Sequence, residues 1–334
     1  MKRCEVSVRV LALEALLRRL PLTYPNRDAI EEEYGRYWAG YQGELSLTYD
    51  LSFLHEQDYY IFHDLRLQHE NHYFQIDILL LSASFALIIE VKNYAGTIFF
   101  DRTFKQLIQT KNGIEKGFPD PIRQVQKQRV LFEKWLTSQK TLNLPVESIV
   151  VITNPYTIIK CNPGNAEVPH KVIHRNSLLL KIEQLESKFS QPQLQRKELK
   201  KLSKYMLKQH IPHQPNLLET YAISPVNLLK GVYCPQCSFL PMERKKSKWQ
   251  CPKCFHTDKN SHINSIQDYF LLIKTSINSR ECSEFLQLSS RKASVRILAN
   301  LSLDKTGQTK DKLYHLRLEN LTGHSFTSGK PYRS

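Results

Sequence analysis

The apolar run from Phe85 to Val91 ends in two opposite charges two residues apart, Glu90 and Lys92. At strand period Phe85, Leu87, Ile89 and Val91 line one face, so Glu90 and Lys92 share the other. A strand this apolar is a buried one, and leaving either charge unpaired there costs several kcal/mol. A second acidic residue, Asp77, interrupts the preceding apolar segment, Phe74 to Leu81. Asp77 and Glu90 are of the type that holds a hard divalent cation, Mg²⁺ or Mn²⁺, with the Val91 carbonyl as a third oxygen. Lys92 would orient an attacking water or stabilise charge developing on a phosphate. The pattern points to metal-dependent phosphodiester cleavage. An edge-strand ion pair beside a solvent-facing Asp77 explains so short a motif equally well.

The order of elements decides between them. Glu44, Leu47, Leu51 and Leu54 recur at helical spacing, which predicts a helix with Glu44 on its core-facing stripe. Strands are expected at Tyr59–Phe62, Phe74–Leu81 and Phe85–Ile98. A helix follows, with Asp120 as N-cap and Pro121 at its first position, running to about Leu136. Ser148–Thr153 supplies another strand. On the Pro121 helix Gln124 and Gln128 fall in line with Phe132 and Trp135, toward the sheet. Gln124 is a candidate to position water or a phosphate oxygen, and for Gln128 solvation of a half-exposed helix face is the plainer reading. Gly96 reads as a turn with positive φ.

The segments Gly43-Glu44, Gln75-Ile76-Asp77, Glu90-Val91-Lys92-Asn93-Tyr94-x-Gly96 and Pro121-x-x-Gln124 resemble the nuclease-related domain, NERD, itself similar to the PD-(D/E)xK nucleases. The resemblance covers about residues 41 to 155. It implies an α/β, restriction-endonuclease-like core, a mixed sheet flanked by helices, with Mg²⁺-dependent chemistry on DNA. Ile76 stands where the superfamily name has Pro, a position that is not a ligand.

At 334 residues the chain is long enough for several domains. The expected division is an N-terminal helical segment (1–40), the nuclease-like domain (41–175), a basic helical segment and linker (176–230), a zinc ribbon (231–260) and a helix-turn-helix-like module (261–334). The net charge of +15 is unevenly placed: 191–260 carries +9 and 261–334 carries +5. A chain that cleaves with one half and holds a polyanion with the other has this asymmetry. No segment has the ~18–20 consecutive apolar residues a membrane span needs. Charges interrupt the run from Val6 to Leu20, which reads as an amphipathic helix closed by Pro21 rather than a signal peptide. Four clustered cysteines fit a reducing compartment, so a cytoplasmic location is expected. Self-association is left open.

Cys234-Pro-Gln-Cys237 and Cys251-Pro-Lys-Cys254 are two matched knuckles separated by 13 residues. Each turns both thiolates toward one tetrahedral ion, which resembles a zinc ribbon with a closed, structural Zn²⁺. Cys4, Cys161 and Cys282 are scattered thiols. His170 and His174 have helical metal spacing, but Pro169 and the β-branched residues around them argue for strand or loop.

Leu178 to His210 is predicted helical, with a break at Pro192. Lys197, Lys201, Lys204 and Lys208 fall on one face, either solvated or tracking phosphates. Asn278 and Glu281 form a capping-box pattern opening a short helix. A turn and a basic helix, Ser290 to Leu301, follow with Arg291, Lys292 and Arg296, then a Gly307 hairpin with Lys305, Lys310 and Lys312. That order resembles a winged helix-turn-helix, with DNA as the expected partner. Two function classes compete: a metal-dependent deoxyribonuclease with C-terminal DNA-binding modules, and a non-catalytic DNA-binding protein that keeps the NERD fold as a scaffold.

Overall fold

The computed structural model describes residues 2–139, 144–308 and 312–316. The chain divides into two compact units, one of residues 1–5 and 38–211, the other of residues 6–37 and 212–334. Two helices come first: α1 (Val8–Arg19), capped by the Ser7 hydroxyl, and α2 (Arg27–Leu51). Helix α1 lies in the second unit, and α2 runs from the second unit into the first.

The first unit is built on a five-stranded sheet of β1 (Tyr60–His69), β2 (His72–Leu81), β3 (Ala86–Lys92), β7 (Val146–Ile152) and β9 (Val172–His174), in the order β1-β2-β3-β7-β9. The first three strands pair antiparallel, and β3-β7 and β7-β9 pair parallel. A second sheet, ordered β6-β5-β4-β8, is made of β4 (Thr97–Asp101), β5 (Gln106–Lys111), β6 (Ile114–Pro119) and β8 (Ile158–Cys161). The strand expected from Phe85 to Ile98 is therefore two strands in different sheets. Gly96 stands between them at φ +83°, where a Cβ would come within 2.3 Å of the Thr110 carbonyl oxygen. No side chain fits that position, and the chain turns out of the first sheet there.

Helices cover both faces of the five-stranded sheet. On one face α3 (Pro121–Ser138) sets Ile122, Val125, Phe132 and Trp135 against Ala86, Ile88 and Val150. Asp120 caps it, its side chain accepting the Ile122 N–H at 2.8 Å. The short helix α4 (Glu167–Lys171) leads into β9. On the opposite face Leu47 and Leu51 of α2 and Leu178, Ile182 and Leu185 of α5 (Leu178–Lys188) meet Phe85, Leu87, Ile89 and Val91. Helix α6 (Arg196–Gln209) buries Leu199, Leu202 and Met206 in the α3-side core and exposes Lys197, Lys201, Lys204 and Lys208. The strand alternation expected of β3 is thus kept, with Glu90 on the α3 side.

In the second unit α7 (Leu217–Thr220) precedes a three-stranded sheet of β10 (Glu243–Lys245), β11 (Lys248–Gln250) and β12 (Thr257–Asp258) around the cysteine knuckles. After it come α8 (Ser261–Leu272), β13 (Ser276–Ile277), α9 (Ser279–Phe285), α10 (Arg291–Ala299), β14 (Asp304–Thr306) and β15 (Leu313–His315), with β15 between β13 and β14. Asn278 and Glu281 form the capping box of α9. Lys310 lies outside the described residues. One core joins Val232, Cys234, Trp249 and Cys251 to Tyr269, Phe285, Ile297 and Leu298.

The N-terminal helix, expected as part of a separate segment 1–40, is tied into this unit by charge. Arg19 is wholly buried and donates to Asp268 at 2.8 Å and to the Gly231 carbonyl at 2.8 Å, and Arg18 also pairs with Asp268 at 2.8 Å. Burial pulls the Arg19 guanidinium below its usual pKa while Asp268 opposes the shift. The geometry that offsets so costly a burial is the set of directed bonds to the Asp268 carboxylate and to the carbonyls of Gly231 and, at 3.1 Å, Leu229.

Candidate active site and metal centre

The β2–β3 ladder runs from Leu81↔Ala86 to Ile78↔Ile89, so Asp77 and Glu90 come next at its open end. Asp77 Oδ2 accepts the Val91 N–H at 2.9 Å, which fixes its carboxylate at the edge of β3. Glu90 is 1 % exposed, and both its oxygens are engaged: Oε1 by Lys92 Nζ at 2.6 Å and Oε2 by Gln128 Nε2 at 2.7 Å. Lys92 Nζ also reaches Gln124 Oε1 at 3.2 Å. The four residues Glu90, Lys92, Gln124 and Gln128 therefore form one hydrogen-bonded group beneath α3. Gln128 is buried, against the expectation that it solvates a helix face, and its Oε1 has no partner among the described residues.

Helix α2 brings Glu44 to the same region. Gly43 makes the close approach: a Cβ there would lie 3.0 Å from Asn93 Cβ and 3.1 Å from Thr153 Oγ1. Asn93 Nδ2 clamps the helix by donating to the Ala39 carbonyl at 2.9 Å. Burial, then Asp77, Asp64 and Glu90, push the Glu44 carboxyl well above the ordinary range. Burial and then Glu90 push Asp77 well above it too, although Lys92 and the Val91 N–H pull the other way. Burial would lower Lys92, but Glu90 and Asp77 hold its ammonium above the usual lysine pKa. Carboxylates outnumber the one ammonium of Lys92 here, and an excess of negative charge is the condition a hard cation relieves.

Asp64 belongs to this neighbourhood and is not apparent from the motifs. It sits in β1 between the pairs His63↔Ile78 and Leu65↔Ile76, across from Asp77, with φ +49°. Gln75 Nε2 donates to its Oδ1 at 2.7 Å, and Lys2 Nζ lies 3.6 Å from Oδ2. Strand alternation resets here. Phe62 and Leu65 both enter the α3-side core, as do Ile76 and Leu79.

The four cysteine sulfurs of Cys234, Cys237, Cys251 and Cys254 lie within 4.8 Å of one another and can hold a metal ion such as zinc. Among the described residues no other set of three or more His, Cys, Asp or Glu ligand atoms lies so close, and His170 and His174 join no such set. His170 falls in α4, where strand or loop was expected, and His174 ends β9. Arg291, Lys292 and Arg296 are exposed on α10, whose Ser294, Ile297 and Leu298 are buried.

Residues 39–153 match the family model of NERD, the nuclease-related domain. The matched segment contains Glu44, Asp77, Glu90, Val91, Lys92 and Gln124. No curated protein and no solved structure matches the chain. Among the described residues no helix is long and apolar enough to cross a membrane.

Proposed function

We propose that the chain is a divalent-cation-dependent deoxyribonuclease of the cytoplasm, cleaving through the nuclease-related domain and holding DNA through basic surfaces in its C-terminal half. The observation that carries this reading is the pair of carboxylates from neighbouring strands, Asp77 and Glu90, at the end of one ladder with Lys92 bonded to Glu90. A scaffold gains nothing from keeping such charges together, since apolar replacements would pack at lower cost.

Asp77, Glu90 and the Val91 carbonyl would hold Mg²⁺ or Mn²⁺, with Glu44 close by. When bound, the cation polarises the scissile phosphate and offsets the charge that builds up during displacement. Asp77 is oriented for this role by the Val91 N–H, and Glu90 by Gln128. Lys92 has the ammonium to orient the attacking water or to stabilise charge on the phosphate, and Gln124 holds Lys92 at the mouth of the site.

The cysteine cluster fits one structural Zn²⁺, since four sulfurs close the coordination sphere. The order α8, β13, α9, α10, β14, β15 supports reading residues 261–316 as a winged helix-turn-helix, with α10 entering the major groove through Arg291, Lys292 and Arg296. Lys197 and Lys201 on α6 would track phosphates. The test is incubation of the purified chain with supercoiled, linear and single-stranded DNA, with Mg²⁺ or Mn²⁺ and with EDTA. Cleavage that needs the cation supports the reading, and intact DNA under every condition contradicts it.

A further inference from the structure

Both cysteine knuckles end in the same turn. The residue after the second cysteine, Ser238 in the first and Phe255 in the second, takes a left-handed conformation with φ of 58° and 59°. Each donates its N–H to the carbonyl of the first cysteine, at 2.9 Å for Ser238 and 3.0 Å for Phe255. The knuckle requires positive φ there, which small or glycine residues meet most readily and a bulky side chain resists. Phe255 gains no packing in return, because it is 73 % exposed.

The hairpin beside it carries a second unfavourable choice. Lys245 and Lys248 face each other directly in the β10–β11 register, and Lys246 in the turn between them has φ 56°. Like charges opposite one another weaken a sheet, and two-residue turns with positive φ favour Asn and Gly. Between residues 243 and 259 six basic residues stand against two acidic ones. Arg244 is engaged over the Trp249 ring at 5.0 Å and Lys245 pairs with Glu243 at 3.5 Å on the surface, while Lys246, Lys248, Lys253 and Lys259 are exposed.

We propose that the cysteine-knuckle hairpin is a contact site for single-stranded nucleic acid, with Phe255 as the surface on which an unpaired base stacks and Lys245, Lys246, Lys248 and Lys253 as phosphate contacts. An aromatic face in a field of lysines matches a strand whose bases are open, whereas a duplex keeps its base faces stacked inside. A protein partner for an apolar contact would call for a contiguous apolar patch, and Phe255 stands between half-buried Cys254 and His256, with exposed Lys253 two residues before it and exposed Lys259 four after. The inference rests on the nucleic-acid part of the proposed function and not on cleavage.

The experiment uses the full chain, zinc-loaded and without added Mg²⁺, titrated into a fluorescein-labelled oligo-dT strand and separately into a blunt duplex. Phe255→Ser copies the residue that the first knuckle uses at this position, and Phe255→Gly removes the strain altogether. Both should keep their zinc and melt at the parent temperature or above. Their Kd for oligo-dT should rise about 10-fold, their Kd for the duplex should stay within about two-fold, and Phe255→Trp should restore the parent value. Four results would overturn the proposal: unchanged oligo-dT binding by the serine variant, no oligo-dT binding by the parent, equal losses on strand and duplex, or serine and glycine variants that lose zinc and melt lower. A parent chain that shows the expected binding pattern yet cuts no DNA with Mg²⁺ would refute the nuclease reading and leave this inference standing.

Discussion

Gln128 donates its side-chain N–H to Glu90 at 2.7 Å, with both residues buried and the Gln128 carbonyl oxygen without a partner among the described residues. The bond holds one carboxylate oxygen in place while Lys92 holds the other. Removing it leaves a buried carboxylate short of a donor, which costs about 1–3 kcal/mol. Gln128→Leu should therefore lower the unfolding free energy measured by denaturant titration by that amount and weaken Mn²⁺ binding measured by calorimetry. Unchanged stability together with unchanged Mn²⁺ affinity would show that the contact does not orient Glu90.

The raised pKa values of Glu44 and Asp77 make a pH prediction for the metal-free protein. A carboxyl whose folded pKa lies above its unfolded value binds more protons in the folded state. Stability then falls as pH rises from the unfolded value, about 4, toward the raised folded value, and is flat beyond it. Asp77→Asn and Glu44→Gln should each flatten that decline, and Mg²⁺ should reduce it in the parent by offsetting the same charges. Melting temperatures from pH 4 to 8, with and without Mg²⁺, measure both. A parent curve that rises across this window and is unaffected by either substitution would contradict the assignment.

Zinc removal should reach beyond the knuckles. Cys234, Cys251 and Trp249 share a core with Phe285 of α9 and Ile297 and Leu298 of α10. A closed cysteine site supplies folding energy that its short hairpin cannot. Chelation, or Cys251→Ser, should release about one zinc per chain and raise amide exchange in α9 and α10 as well as in residues 231–260. Exchange confined to the ribbon would show that the two parts of this core are energetically separate.

Reversing Arg291, Lys292 and Arg296 to Glu should weaken duplex binding more than reversing Lys305 and Lys312, because the first three are exposed on α10. The affinity should also fall steeply with salt as counterion release is lost. Equal effects from the two sets would point to a diffuse basic surface rather than a helix in a groove.

The parts legible in sequence were those in which a local pattern conflicts with its surroundings. Glu90 and Lys92 stand out against Leu87, Ile88 and Ile89, and two CPxC pairs 13 residues apart have few other uses. Glu44 was placed by helical spacing, although the close approach that brings it to the site depends on Gly43 and Asn93. The second sheet was missed because Phe85–Ile98 reads as one strand, and only the Gly96 approach to Thr110 shows that it cannot continue. Asp64 was missed because it belongs to no motif. A reset in alternation between Phe62 and Leu65, matched by one between Ile76 and Leu79, is the signal that could have found it. The pairing of Arg18 and Arg19 with Asp268 spans about 250 residues, beyond the reach of any local pattern.

In the proposed mechanism Asp77 and Glu90 form a cation-dependent cleavage site. It is tested most directly by single-turnover cleavage of a labelled linear duplex by the parent, Asp77→Asn and Glu90→Gln, with DNA affinity and Mn²⁺ affinity measured on the same preparations. All three proteins should be folded and bind DNA alike, with both variants binding Mn²⁺ more weakly and cutting at least about 100-fold more slowly. Folded variants that cut the duplex at the parent rate in Mg²⁺ would contradict it.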